Sequence, residues 1–203
     1  SRQLFANLCH PGVQQKLRDY SAELAAYPGI WGVQTDYHRF PIDNSTSDNF
    51  PAPWSYDAYS SQSMKTLYGA GVDITTQAAR SNQPYWNQFL AWRRAGVGEA
   101  ARQMRLGVQS GSNDVVFSGA VFPYPSSSGE ISKCQDWPTW ANNGWIDWVV
   151  PMAYSYTTSG ILAEMNSAKS LAAGKRVVAG LAVTSGHPSA TTQLAAIKPG
   201  GYE

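Results

Sequence analysis

Residues 30–41 read IWGVQTDYHRFP. A run of small and apolar residues ends on Asp36, and Tyr37, His38 and Arg39 follow before Pro41 stops the segment. In an extended strand successive side chains point to opposite faces. Gly32, Gln34 and Asp36 therefore share one face, and Trp31, Val33 and Thr35 share the other. Trp, Val and Thr suit packing against helices. Gly, Gln and Asp suit a face that grows more polar toward the end of the strand. In parallel α/β folds functional groups gather beyond the carboxyl ends of the strands. On that reading Asp36 stands at the rim of a site; a plain turn or cap role for it is the alternative.

The flanking chain supports a parallel sheet. Val13, Leu17, Tyr20, Leu24 and Tyr27 recur at helical spacing over 11–27, and Pro28-Gly29 ends that helix. Residues 41–84 form a long, mostly irregular insertion with one short helix near 57–68, and insertions of that length in a compact domain are commonly functional. A helical region over 84–109 uses Trp86, Phe89, Leu90, Val97, Ala101, Met104 and Val108, with Gly96 and Gly98 as possible breaks. DVVFSGAVFP (114–123) reads as the second strand, DWPTWANNG as a short helix closed by Gly144, and IDWVVPMAY (146–154) as the third strand. A helix over 160–173 carries Ile161, Leu162, Met165, Ala168 and Leu171 on one face. KRVVAGLAV (175–183) is the fourth strand, and 190–198 a last short helix. Strands alternating with helices, apolar on both sides, imply a parallel sheet with helices outside. A complete eight-stranded barrel takes about 250 residues. The 203 residues are therefore read as one domain, the middle and later part of a βα barrel, incomplete at both ends. A four-stranded open sheet is the alternative.

Composition narrows the function classes. A formal net charge of +1 gives no basic face for nucleic acid. No apolar run approaches the roughly 18 residues of a membrane span. Charged residues are 14% and aromatics 12%, with eight Trp, which fits either a protein that stacks flat polar ligands such as sugars or aromatics that fill a core. There is no G-x-S-x-G elbow, no P-loop and no G-x-G-x-x-G, and no His/Cys cluster that suggests a metal; no cofactor is expected. Carboxylates and aromatics at strand ends remain. Glycoside hydrolysis needs that set: one carboxylic acid protonates the leaving oxygen, and a second carboxylate attacks the anomeric carbon or activates water. Asp36 is the expected nucleophile or base, kept ionised by Arg39. Asp136, or Glu130 in the same loop, is the expected proton donor, its pKa raised by burial among Trp137 and Trp140. Asp136 also precedes WPTW and could be a helix N-cap. Asp147 begins its strand and is expected at the opposite, stability end. His10 and His187 read as loop histidines in water.

Several segments, in order, resemble the family 10 glycosyl-hydrolase-like proteins, TIM-barrel proteins of bacteria. NLCHPGVQQKLRDYSAEL (7–24) is similar to the family's Asn-Pro-x-x-Pro loop and the helix after it. WGVQTDYHRFP resembles its strand four, which ends in an Asp followed by Arg-aromatic-Pro. WNQFLAWRRAGV (86–97) resembles its Trp-Arg helix. KCQDWPTWANNGWIDWVVPMAY (133–154) resembles its Gln-Asp-x-x-x-Trp loop and Pro-Met-x-Tyr strand, and VVAGLAV (177–183) its next strand. The resemblance implies a (β/α)8 barrel of which the chain covers roughly strands four to seven, with strands one to three upstream, and an activity on polysaccharide or the glycan strands of peptidoglycan. Asp36 matches the acid at the end of strand four, and Gln135, Asp136 and Tyr154 match other motif positions. Gln34, Tyr37, His38, Arg39, Gln135, Trp137 and Tyr154 are the expected sugar contacts. Two positions depart from the pattern. Tyr37 stands where the family has a second acid, and Trp31 where it has an Asp. The departures motivate a second reading, a barrel that binds glycan without cutting it or serves as a structural subunit.

If strands are missing, the exposed sheet edges call for a longer chain or a partner in a larger assembly. Cys9 and Cys134 lie in loops expected on the same carboxyl face. They are either two free thiols or one bridge, and a bridge would imply an oxidising compartment, periplasmic or extracellular.

Overall fold

The computed structural model describes residues 5–40, 57–74, 85–125 and 133–202. The protein is an α/β structure with an all-parallel sheet. In chain order the elements are α1 (Pro11–Ala25), β1 (Gly32–Thr35), α2 (Ala58–Tyr68), α3 (Tyr85–Gly111), β2 (Val116–Val121), α4 (Trp137–Asn142), β3 (Trp148–Ala153), α5 (Thr158–Leu171), β4 (Arg176–Val177), β5 (Gly180–Leu181) and α6 (Ala190–Ile197). The strand order is β1-β2-β3-β4, with β5 also paired to β3.

Helix starts follow local chemistry. The imidazole of His10 accepts from Gly12 N at 3.0 Å, with Pro11 in the first turn of α1. The carboxylate of Asp57 accepts from Ser60 N at 3.0 Å, the hydroxyl of Thr157 from Gly160 N at 3.1 Å and that of Ser189 from Thr192 N at 3.2 Å. Each satisfies one N–H that the first helical turn leaves unpaired.

Four sequence expectations change. Gly96 and Gly98 do not break α3, which runs unbroken through both. Gly96 is a packing position instead: a Cβ there would stand 2.4 Å from the Cys9 sulfur. The stripe through Tyr20 and Leu24 of α1, and Tyr27 beyond its end, is exposed, and Ser21 and Ala25 are buried. That buried face meets α3 so closely that a Cβ on Gly107 would stand 2.2 Å from the Arg18 carbonyl oxygen. Small residues, not the large apolar ones, therefore define this helix contact. The strand expected over 175–183 is two short pieces, and the gap falls opposite Val150 and Pro151, where a proline has no N–H for the ladder. Trp31 is exposed rather than packed under helices, and its ring lies 5.3 Å from that of Trp148.

The sheet has two unlike faces. In register, Gln34 lies beside Ser118, and Ser118 beside Trp148. The intervening residues Val33, Thr35, Phe117, Val149 and Ala153 are buried. They meet a core that includes Val97, Ala101 and Val108 of α3, Trp137 and Trp140 of α4, and Ile161, Met165 and Ala168 of α5. On the other face Gly32 and Gln34 are exposed and Trp148, Val150 and Met152 half-buried. At the amino end of the strands Asp147 accepts from Phe117 N at 2.9 Å and pairs with Arg105.

Candidate active site

Beyond the carboxyl ends of β1, β2 and β3 lies a cavity of about 410 Å³, lined by Asp36, Tyr37, Arg39, Phe122, Pro123, Tyr124, Met152, Tyr154 and Glu164. Three consecutive strands and α5 contribute to it.

Asp36 leaves β1 on the exposed face. Its Oδ1 accepts from the backbone N–H of the next residue, Tyr37, at 2.7 Å. Tyr37 has φ 52°, a left-handed backbone that a non-glycine residue adopts at a cost. A tight turn follows, with Arg39 N donating to Tyr37 O at 2.8 Å. The turn brings the Arg39 guanidinium 4.7 Å from the Tyr37 ring centre and 5.1 Å from that of Phe122. Nη1 also donates to Phe40 O at 3.2 Å. Tyr154 closes the wall beside Asp36: burial, then the charge of Asp36, then Tyr37, raises its phenol pKa.

Glu164, on the cavity side of α5, is the second carboxylate. Its Oε2 accepts from Ser155 N at 3.2 Å. Burial raises its pKa above the ordinary carboxylate value, only partly offset by that backbone hydrogen bond. The same burial effect, followed by the Glu164 charge, raises Tyr124. The first turn of α5 comes close because residue 160 is glycine; a Cβ there would stand 2.0 Å from the Ser155 hydroxyl oxygen. Nothing in the local pattern GILAEMNSA distinguishes Glu164 from an ordinary surface position on an amphipathic helix. The usable hints are Thr157 and Gly160, which start the helix directly after the Tyr154 strand end.

The other expected residues divide sharply. Gln34 is on the exposed sheet face, where its Oε1 accepts from the Ser118 hydroxyl at 3.3 Å. His38, Gln135 and Trp137 are buried on the other side of the strand ends. His38 Nε2 donates to Val97 O at 2.9 Å, and its ring meets Trp140 edge-on at 5.2 Å. Burial lowers its pKa to about 4. Gln135 Oε1 accepts from Phe122 N at 2.8 Å, while Nε2 donates to Ala120 O at 3.2 Å and approaches His38 O at 3.5 Å. Trp137 Nε1 donates to Phe122 O at 2.8 Å. These three side chains hold the cavity walls in place from behind rather than facing a ligand.

Asp136 does not line the cavity of Asp36. It borders two other depressions, of about 210 Å³ and 340 Å³, that share Arg94 of α3. It occupies the N-cap position of α4 without a side-chain bond to the helix backbone, and its Oδ2 accepts from the Thr139 hydroxyl at 2.9 Å. Glu130 and most of the 41–84 insertion lie outside the described residues.

Cys9 and Cys134 are buried thiols that are not bridged to each other. Cys9 Sγ points to Arg93 O and Cys134 Sγ to Leu90 O, both at 3.8 Å, so each thiol is turned to α3. Burial pushes the Cys9 thiol up to about 12 and raises that of Cys134. The bridge is not formed, and the compartment inference built on it falls. Among the described residues no group of three or more His, Cys, Asp and Glu could hold a metal ion, and no helix is long and apolar enough to cross a membrane.

No known family model matches the chain, and no curated protein matches it.

Proposed function

We propose that the protein is a glycoside hydrolase acting on a polysaccharide or on peptidoglycan glycan strands. The observation that carries this reading is one cavity, walled by tyrosines at the strand carboxyl ends, that contains two carboxylates, Asp36 and Glu164, the second with its pKa raised by burial. A pKa raised by burial favours the protonated carboxyl, the form a proton donor needs. Glu164 gives its proton to the glycosidic oxygen as the bond to the anomeric carbon breaks. Asp36, as carboxylate, attacks that carbon or takes a proton from the attacking water. Glu164 replaces Asp136 as donor because it lines the cavity of Asp36, whereas Asp136 borders other depressions.

The barrel reading is part of the same proposal. Parallel crossovers are right-handed. In the order β1-β2-β3-β4, without a reversal, such crossovers stack the helices on one face and leave the other to become a barrel interior. A doubly wound sheet reverses its order and covers both faces. The half-exposed face bearing Gln34 and Trp148, and the resemblance to the family 10 glycosyl-hydrolase-like proteins, agree with the barrel. Further strands or a partner chain are the proposed cover for its edges, and a glycan-strand substrate would put the protein in the periplasm or outside the cell.

The second reading, glycan binding without cleavage, draws on the exposure of Tyr37 and Tyr154, 62% and 49%, which suits stacking without chemistry. Release of reducing ends from purified peptidoglycan and a polysaccharide panel decides between them. Turnover by the wild type that falls at least about a hundredfold in Asp36→Asn supports hydrolysis, since general acid-base and nucleophilic groups contribute factors of that order. Glycan binding with no turnover supports the second reading, and full turnover by Asp36→Asn removes that residue from the mechanism.

A further inference from the structure

Two residues beyond Tyr154, on the loop between β3 and α5, Tyr156 is 67% exposed. It is nevertheless not loose. Its ring stacks on His187, with centroids 4.2 Å apart and planes at 25°. A Cβ on Gly186 would stand 3.4 Å from its Cε1, so the 184–187 loop also packs beside the ring. His187 is itself held at both nitrogens. Nε2 lies 3.0 Å from Tyr154 O, and Nδ1 lies 3.2 Å from the Thr184 hydroxyl. Nδ1 also lies 3.3 Å from Thr184 O, and a carbonyl only accepts, so a ring proton on either nitrogen has a carbonyl to meet. The imidazole is therefore a fixed backing plate, and the rest of the tyrosine faces water.

The loop that carries Tyr156 begins at the cavity. Tyr154 lines it, Ser155 N holds the Glu164 carboxylate, and Tyr156 is the next residue. A ring immobilised on one face and exposed on the other gives contact area at little cost in lost rotamer freedom, which is how aromatic side chains serve as anchors.

We infer that Tyr156, backed by His187, is a second sugar subsite, on which a glycan ring stacks at least one unit away from the bond held between Asp36 and Glu164. This rests on the glycan reading of the cavity above. The ligand class is a linear oligosaccharide long enough to reach both places. His187 is a positioning residue: it touches no substrate and acts by fixing the ring of Tyr156 and the backbone of Tyr154.

The test uses chitobiose and chitohexaose, titrated calorimetrically into the wild type, Tyr156→Ala, Tyr156→Phe and His187→Ala. The wild type is expected to bind chitohexaose more tightly than chitobiose. Tyr156→Ala is expected to lose about tenfold in affinity for chitohexaose, a stacking contribution of the usual aromatic size, and with it the preference for the longer sugar. Tyr156→Phe keeps the ring and retains the preference. His187→Ala loses part of it, and carries the same comparison if Tyr156→Ala does not fold. Wild-type affinity for chitohexaose in Tyr156→Ala, or equal affinity of the wild type for the two sugars, overturns the subsite. Binding of chitohexaose with the preference intact, beside no turnover of peptidoglycan or of any polysaccharide in the panel, sinks the hydrolase reading and leaves the subsite standing, and no binding of chitohexaose by the wild type overturns the subsite.

Discussion

His38 shows how a single side chain can look like a ligand contact and be a strut. It follows Asp36 by two residues and carries two ring nitrogens, yet the tight turn at Tyr37 sends it under the strand end to the Val97 carbonyl. Its pKa falls from 6.5 to about 4 because the buried site disfavours the cation. The unfolded chain therefore binds a proton on His38 that the folded chain does not, throughout the window between those values. The contribution of His38 to stability is complete above pH 6.5 and is lost as pH falls toward 4. Between pH 7 and pH 5 this amounts to about 2 kcal/mol. Urea unfolding at the two pH values measures it. His38→Gln keeps a donor but does not titrate, so the wild type should lose about 2 kcal/mol more than that variant. Equal losses in both would mean that His38 is not buried as a neutral ring.

At the scale of the element, the ends of β1 and β2 are joined by a side chain where the ladder has stopped. The Gln135 amide bonds Ala120 O and Phe122 N and reaches toward His38 O, continuing the pairing past Thr35 and Val121. Gln135→Leu leaves those buried backbone groups without a partner. It should lower stability by about 2–3 kcal/mol in chemical denaturation, and a loss below about half a kcal/mol would show that backbone shifts or water replace the amide. The periods of two and 3.6 made most elements legible in the sequence, along with the direction of Asp36, because those periods fix which way a side chain points inside a strand or helix. They say nothing once the strand ends. Gln135 and His38 sit in loops and Trp137 opens the six-residue α4, and their polar or aromatic character suits a sugar and a core equally well. Glu164 was illegible for the opposite reason: its helical position is ordinary, and only the close approach of α5 to Ser155, allowed by Gly160, brings it to the cavity. The glycines of α3 are ambiguous in the sequence because a glycine that breaks a helix and one that admits a neighbour are the same letter.

Across the whole molecule the two ends of the sheet divide the work. At the amino end Arg105 and Asp147 tie α3 to the start of β2 and β3, the Trp31 ring lies tilted against that of Trp148, and the Arg176 guanidinium sits over the Trp148 ring. At the carboxyl end the strands deliver Asp36, Phe122 and Tyr154 into one cavity, and α5 adds Glu164. Parallel sheets build sites at that end because all strands arrive there together. The proposed hydrolase depends most on Glu164 being the proton donor. A donor matters when the leaving group is a poor one and little when it leaves unaided. The direct measurement is therefore kcat/KM of Glu164→Gln relative to wild type on a glycan and on a nitrophenyl glycoside of the same sugar. The variant should lose at least about a hundredfold on the glycan and far less on the nitrophenyl substrate, whose phenolate departs without a proton. In the wild type, activity on the glycan should fall as pH rises through a Glu164 pKa above the ordinary carboxylate range, and this limb should be missing in the variant. Equal losses on the two substrates, or none on either, would contradict proton donation by Glu164.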